Sequence, residues 1–273
     1  MKKNILKLDP FYSEKVWGYE QWTLSTHKNG NSKIKGSNVD LIDQIGGELP
    51  IINKIIKTNE TLSIQVHPDN EFSRLYENDN GKTECWYILE ADDGASLICG
   101  LKNNCTKESF AKTIKDGNIE EYLSRINIAP GDMIYIPSGT VHAITGGLKL
   151  IEIQQSSDVT YRIYDWGRDR ETHIEKSLQV IDYEGKNKCG KIENFIKFET
   201  PYFTVEKIDI DSIYKDTVDK ELFHSYTVIK GKGIIHSDND NIQIEKEETI
   251  YVPKDIKYEI CGNLQLLKTY VKK

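Results

Sequence analysis

The feature that most constrains the fold is a succession of short apolar runs, each of strand length, cut apart by turn clusters. Leu62-Ser63-Ile64-Gln65-Val66-His67 alternates apolar and polar residues with period two, the pattern of a half-buried strand. Glu84-Cys85-Trp86-Tyr87-Ile88-Leu89, Ser96-Leu97-Ile98-Cys99-Gly100, Met133-Ile134-Tyr135-Ile136 and the stretch Leu148 to Gln155 read the same way. Asp92-Asp93-Gly94, Pro130-Gly131-Asp132 and Gly146-Gly147 separate them, and such clusters break regular structure. Many short strands with even spacing predict an antiparallel sandwich or jelly roll.

Helical signals are few. Thr106-Lys107-Glu108 is placed to cap a helix over Ser109–Lys115, and residues 118–123 read as a second short one. In Thr172 to Ile181, residues Ile174, Leu178 and Ile181 share one face. The polar, glycine-spaced stretch Tyr183 to Lys191 reads as a linker. Beyond it strands return: Phe203–Ile208, Ser225–Ile229, Gly233–His236, Thr249–Val252 and Leu264–Val271. The second part echoes the first. Residues 128–142 align with residues 244–258 at a constant offset of 116 residues around a shared Ile-Tyr-[Ile/Val]-Pro core. Tyr258 then stands where the first copy has His142. The expectation is two related β-barrels, over residues 1–190 and 191–273.

Composition excludes several classes. A net charge of −7 over 273 residues argues against a nucleic-acid partner, which needs a basic face. No stretch approaches the ~20 apolar residues of a membrane helix. Lys7, Asp9 and Pro10 interrupt any apolar run behind the basic N-terminus, unlike a signal peptide. Five cysteines at 85, 99, 105, 189 and 261 form no CxxC pair. The count suggests neither a disulfide framework nor a zinc ribbon, and a reduced, cytoplasmic chain is expected.

Four side chains carry the chemistry. Gln65 and His67, two apart on one strand, point to the same face. Glu84 opens the next strand, and His142 follows the turn Gly131-x5-Pro137-x-Gly139-x2-His142. An amide oxygen, two imidazoles and one carboxylate suit a borderline ion such as zinc. They leave a divalent ion with net positive charge, as a Lewis acid requires. Taken singly, a strand histidine is more often a polar residue satisfied within its strand than a ligand. The joint spacing is what points to a metal. His27 and His173 read as surface or capping residues, and His224 and His236 have no partner at ligand spacing.

The Gly131 to His142 pattern resembles the second cupin motif. Leu62 to Asp69, Gly81 to Leu89 and Thr140 to Trp166 resemble type I mannose-6-phosphate isomerases, closest to their short bacterial form, and the likeness covers nearly the whole chain. The resemblance implies two cupin-type jelly-roll barrels with a few short helices inserted. The first would be catalytic and the second would lack metal ligands. It further implies one Zn2+ per chain on Gln65, His67, Glu84 and His142, and interconversion of D-mannose 6-phosphate and D-fructose 6-phosphate, with Arg162 as the active-site arginine and Lys54 and Lys82 as pocket lysines. Glu152 and Asp158 fall at positions considered for acid or base duty. Longer members carry a histidine beside the lysine that precedes the zinc-binding glutamate; Gly81 stands there in this chain, so no mechanism using that histidine can operate.

An aldose–ketose isomerase moves a proton between C1 and C2 through an enediol. Arg162 reads as a fixed positive donor to the enediol oxygens. Lys82 shares strand parity with Glu84 and reads either as the base or as a phosphate anchor. Glu152 is a second base candidate, and Asp158 reads also as a group that orients Arg162. The phosphate dianion needs a local cationic pocket, for which Lys54, Lys82, Arg162 and Arg168 are candidates. The rival reading is a non-catalytic sugar-phosphate-binding cupin, a sensor or regulator. The oligomeric state is not legible in the sequence.

Overall fold

The computed structural model describes residues 4–272. The chain is mainly β, with few and short helices. It divides into two compact units. One comprises residues 13–20 and 56–193, and the other residues 1–12, 21–55 and 194–273. The stretches 1–12 and 21–55, N-terminal in sequence, thus group with the C-terminal strands. The chain changes unit partway along two strands, Gly18–Leu24 and Ile51–Thr58.

In the unit holding residues 56–193, one sheet orders its strands Leu123–Asn127, Ser96–Leu101, His142–Ile144, Ile64–Val66 and Tyr161–Tyr164. A second set orders Gly190–Ile192, Met133–Ile136, Glu84–Ala91 and Leu148–Gln155. Apolar side chains fill two clusters in this unit. Trp86, Ile88, Leu97, Ile134, Ile136, Leu148 and Leu150 belong to one. Ile64, Val66, Ile98, Phe110, Val141 and Tyr161 belong to the other. Leu97 and Ile98, adjacent in sequence, join different clusters, as the period of two on a strand requires.

The helix over Lys107–Asp116 forms where the capping signal placed it. Thr106 accepts from the Ser109 amide, Ser109 closes the box in return, and Gly117 ends the helix at φ +74°. The following segment is a single 3-10 turn, Ile119–Tyr122. The later helix covers Ile174–Val180. Two helices carry no prior expectation: Leu41–Ile45, and Asn70–Tyr76 with Asp69 as its cap.

In the other unit, the sheet runs Lys197–Glu199, Thr204–Ile210, Lys257–Lys272, Glu221–His236, Thr249–Pro253, Leu6–Asp9 and Lys33–Ile34. Glu221–His236 is one strand of 16 residues rather than two short ones. It passes through Lys230-Gly231-Lys232 without a turn, because a register shift between Val228 and Lys230 and a left-handed Gly231 (φ +81°) let pairing with Lys257–Lys272 continue.

The repeat seen in sequence has a counterpart in strand register. Ile136 lies opposite Glu84, and Val252, 116 residues on, lies opposite His224. Trp86 pairs with Glu152, while Tyr226 pairs with Lys268. His224, Tyr226 and Lys268 thereby hold, within their own unit, the register positions that Glu84, Trp86 and Glu152 hold in the first, and Tyr258 matches His142 by the same offset of 116 in sequence.

Candidate metal centre

The turn before His142 is built by its glycines. Gly131 and Gly139 sit at φ +95° and +84°, backbone that favours residues without a Cβ. The Gly139 amide donates to the His67 carbonyl at 2.9 Å, which ties the turn to the chain carrying the first histidine. His142 then lies directly opposite Gln65, and Gln65 opposite Arg162. Directly opposed residues on antiparallel strands project to the same face. Gln65, His142 and Arg162 therefore form a row across three strands.

His67, Glu84 and His142 are buried, and one ligand atom from each lies within 4.8 Å of the others. Each imidazole holds its Nδ1 2.9 Å from a backbone carbonyl, His67 on Val159 and His142 on Thr140. With Nδ1–H donating there, the Nε2 lone pairs turn toward the cluster, the arrangement that orients a metal-ligating histidine. His67 Nε2 lies 3.6 Å and His142 Nε2 3.5 Å from the two Glu84 oxygens. The donor set thus fits a divalent ion in both chemistry and tautomer. Gln65 directs its amide nitrogen to His142 Nε2 at 3.3 Å, so coordination through Gln65 needs the opposite face of its amide.

Lys82 and Glu152 join this cluster. Lys82 Nζ lies 2.6 Å from Glu84, 3.1 Å from His67 Nε2 and 3.9 Å from Glu152. Glu152 also accepts from the indole N–H of Trp86 at 3.0 Å. Trp86 meets His142 edge-on at 5.4 Å between ring centroids, which fixes the imidazole plane. Neither Trp86 nor the Thr140 and Val159 carbonyls stood out in the sequence. Only the strand parity linking Trp86 to Glu84 pointed to the first.

Arg162 occupies the row beside Gln65. Its Nη1 donates to the Glu171 carbonyl, while its buried Nε has no hydrogen-bond partner among the described residues. A buried donor left unpaired costs about 1–3 kcal/mol, so this guanidinium is prepared to receive an acceptor. Burial, then the Arg170 charge, draws it below the ordinary arginine range.

The remaining candidates lie elsewhere. Asp158 is exposed, outside the buried cluster. Lys54 is buried in the other unit, with its ammonium 4.6 Å from the Trp22 ring centre. Arg168 donates to the Asp165 and Thr61 carbonyls at 3.1 and 2.6 Å, and Arg170 grips the Asp165 carboxylate with two hydrogen bonds. The turn they build is thus an ordered ion-pair structure rather than a freely solvated one. His27, expected at the surface, is buried, and its Nδ1 accepts from the Asn29 amide.

Gly81 has no room for a side chain. A Cβ there would lie 2.5 Å from the backbone of Asp69 and Asn70. A histidine at this position would need that backbone to move.

Burial pushes the His142 imidazole down to about 4, and the Lys82 charge adds to this against the opposing effect of the Thr140 hydrogen bond. The unfolded chain takes up this proton near the ordinary histidine value of 6.5, whereas the folded chain stays neutral well below it. Stability is therefore full above the unfolded value and is lost as pH falls toward the folded one. Between about pH 7 and pH 5 the group accounts for about 2 kcal/mol. Urea unfolding of chelator-treated protein checks this: the wild type should lose that much more than His142→Asn over the same interval. Equal losses would mean that His142 is not held neutral.

At the corresponding register positions of the other unit the space is filled. Tyr258 hydroxyl contacts His224 Nδ1 at 2.6 Å and Tyr226 hydroxyl at 2.5 Å. Asp216 accepts from Lys268 at 2.6 Å and from Tyr214 at 2.8 Å. Although burial works against it, these donors hold the Asp216 carboxyl down at about 2. An internal ammonium–carboxylate pair ringed by phenols stands where the first unit keeps inward-facing imidazoles. Among the described residues, His67, Glu84 and His142 are the one group of this kind with metal-holding geometry.

Comparison with known proteins agrees with this architecture. Residues 13–94 match the family described as phosphomannose isomerase type I, catalytic domain, and residues 191–271 match mannose-6-phosphate isomerase, cupin domain. The mannose-6-phosphate isomerase of Streptococcus mutans is 34% identical over 280 residues, covering 92% of this chain and 88% of that protein. The mannose-6-phosphate isomerase ManA of Bacillus subtilis is 32% identical over 298 residues, covering 93% of this chain and 94% of its own length. The crystal structure of the mannose 6-phosphate isomerase from Bacillus subtilis superposes with a TM-score of 0.89 at 28% identity, over 99% of this chain and 100% of that one. The chain belongs to the type I mannose-6-phosphate isomerase family.

Proposed function

We propose that the chain interconverts D-mannose 6-phosphate and D-fructose 6-phosphate through a cis-enediol, with a zinc-class ion held by Gln65, His67, Glu84 and His142. The observation that carries the reading is the buried His67–Glu84–His142 cluster with both Nε2 atoms turned inward, beside Lys82, Glu152 and Arg162. In the same reading residues 56–190 hold the catalytic cupin barrel and residues 191–273, with Leu6–Asp9 in their sheet, a second cupin-like barrel without a metal, and the enzyme works in the cytoplasm.

When bound, the ion supplies Lewis acidity toward the adjacent C1 and C2 oxygens and lowers the cost of negative charge on them. Arg162 directs its guanidinium to the same oxygens, with Nε as the unspent donor. Lys82 and Glu152, 3.9 Å apart, form the proton-carrying pair: one takes the proton from C2 of the aldose and the pair returns it to C1, while the O2 hydroxyl proton passes to O1. Gly81 leaves this duty to Lys82 and Glu152.

Purified protein assayed with mannose 6-phosphate in a coupled reaction tests the activity, and Lys82→Ala tests the role. As part of the proton-carrying pair, Lys82 should lower kcat by about 10²–10⁴-fold with little change in KM. A rise in KM at unchanged kcat would make Lys82 a phosphate anchor instead. Deuterium from solvent appearing in the sugar would support the enediol route.

A further inference from the structure

Two of the five thiols meet beside the candidate metal centre. Cys99 lies opposite His142 in the strand register and is buried in the apolar cluster with Trp86, Leu97 and Ile136. Cys189 ends the irregular stretch 182–189 and is half-buried against the same cluster. The two thiols interact within this cluster, each acting on the other's proton affinity. Gly100, next to Cys99, makes the space for this contact. It sits at φ +85°, and a Cβ added there would come within 3.1 Å of the Cys189 sulfur. Cys189 also lines a cavity of about 570 Å³ together with Thr140, Asp182 and Tyr183, which gives small solutes a route to its sulfur.

We propose that Cys99 and Cys189 are a redox-active dithiol, closed to a disulfide by hydrogen peroxide that enters through the cavity at Cys189. The five cysteines are unequal. Hydrogen bonds from Cys99 and from Thr140 hold the Cys189 thiol below its ordinary range. The Cys189 hydrogen bond and burial push Cys99 up, and burial pushes Cys85 and Cys105 up. Since the thiolate is the nucleophile and Cys189 is the member of the pair that lines the cavity, Cys189 attacks first. Its sulfur takes one peroxide oxygen as the O–O bond breaks, giving a sulfenic acid and hydroxide. The Cys99 sulfur then displaces the sulfenic hydroxyl, which leaves as water with the Cys99 proton. Hydroxide takes up the proton released by Cys189. Two thiols have lost two electrons and two protons, and one peroxide has become two waters. The new bond ties the 182–189 stretch to the strand paired with His142.

Peptide mapping of the full chain tests this. Cleavage after lysine, arginine and glutamate places all five cysteines in separate peptides. After brief treatment with hydrogen peroxide and alkylation of remaining thiols, the expected product is one linked pair, Cys99 with Cys189, two hydrogens lighter than the free peptides and released by dithiothreitol. Cys189→Ser should form no bond and leave Cys99 unmodified. Cys99→Ser should leave a Cys189 sulfenic acid that dimedone captures. Should Cys99→Ser fail to fold, wild type and Cys189→Ser decide the matter. A Cys105–Cys189 link, a Cys189 sulfinic acid without any link, or two untouched thiols at peroxide levels that oxidise free cysteine would each overturn the proposal.

Discussion

His142→Ala leaves a folded chain that no longer retains a divalent ion and that isomerises mannose 6-phosphate at least about 10³-fold more slowly, since losing the ion removes at least as much charge stabilisation as losing a single oxyanion donor. The substitution deletes one of two inward-facing Nε2 atoms and leaves Glu84 with His67 alone on the imidazole side. It also removes the edge-on contact with Trp86. The resulting cavity costs a few kcal/mol, which is affordable because the apolar cluster of Val218, Tyr226, Ile250 and Ile260 in the other unit is untouched. Elemental analysis, a coupled assay and circular dichroism on one preparation measure all three quantities. A folded variant that keeps its ion, or that turns over at the wild-type rate without one, would remove His142 from the centre.

Arg162→Ala should separate chemistry from metal binding. The side chain is the outermost member of the row formed with Gln65 and His142, and its Nη1 donates to the Glu171 carbonyl rather than to the cluster. Metal content should therefore stay at the wild-type level. Turnover should fall about 10²–10³-fold, or ~3–4 kcal/mol, the cost of losing one preorganised donor to a developing oxyanion. Near-wild-type turnover would withdraw Arg162 from the site. Loss of the metal together with activity would make its role structural, through the Glu171 carbonyl it now holds.

The site was legible where its chemistry lies in single strands and was lost where it depends on distant chain segments. Parity placed Gln65 with His67, and the glycine–proline turn announced His142. Those signals are local and survive in one dimension. The lock on each imidazole is not: Val159 and Thr140 act through backbone carbonyls, which any residue supplies. Lys54 enters as a pocket lysine through the family resemblance alone. Its position over Trp22 depends on a residue 32 positions away. Asp158 enters through the same resemblance, as an acid, a base or a group that orients Arg162; the chain bends after Gln155 and its side chain is exposed.

The fold shows the same division. Strands Met133–Ile136 and Leu148–Gln155 lie where alternation and turn clusters put them. Asn70–Tyr76 went unseen although Asp69 caps it, because seven residues give barely two turns of periodicity. Leu41–Ile45 is shorter still. The 16-residue strand Glu221–His236 was split at Gly231 and Gly233, since glycine marks turns more often than the bulged, twisted pairing it serves here. Division of the chain into units is a property of long-range contacts, so the company that residues 1–12 and 21–55 keep was invisible to composition.

The central claim is that a divalent ion on the His67–Glu84–His142 cluster is required for isomerisation. Titrating chelator-treated protein with Zn2+ while following fructose 6-phosphate formed from mannose 6-phosphate tests it most directly. The account predicts negligible activity without the ion and full recovery at one equivalent per chain. Full activity in protein shown by elemental analysis to hold no metal would contradict it.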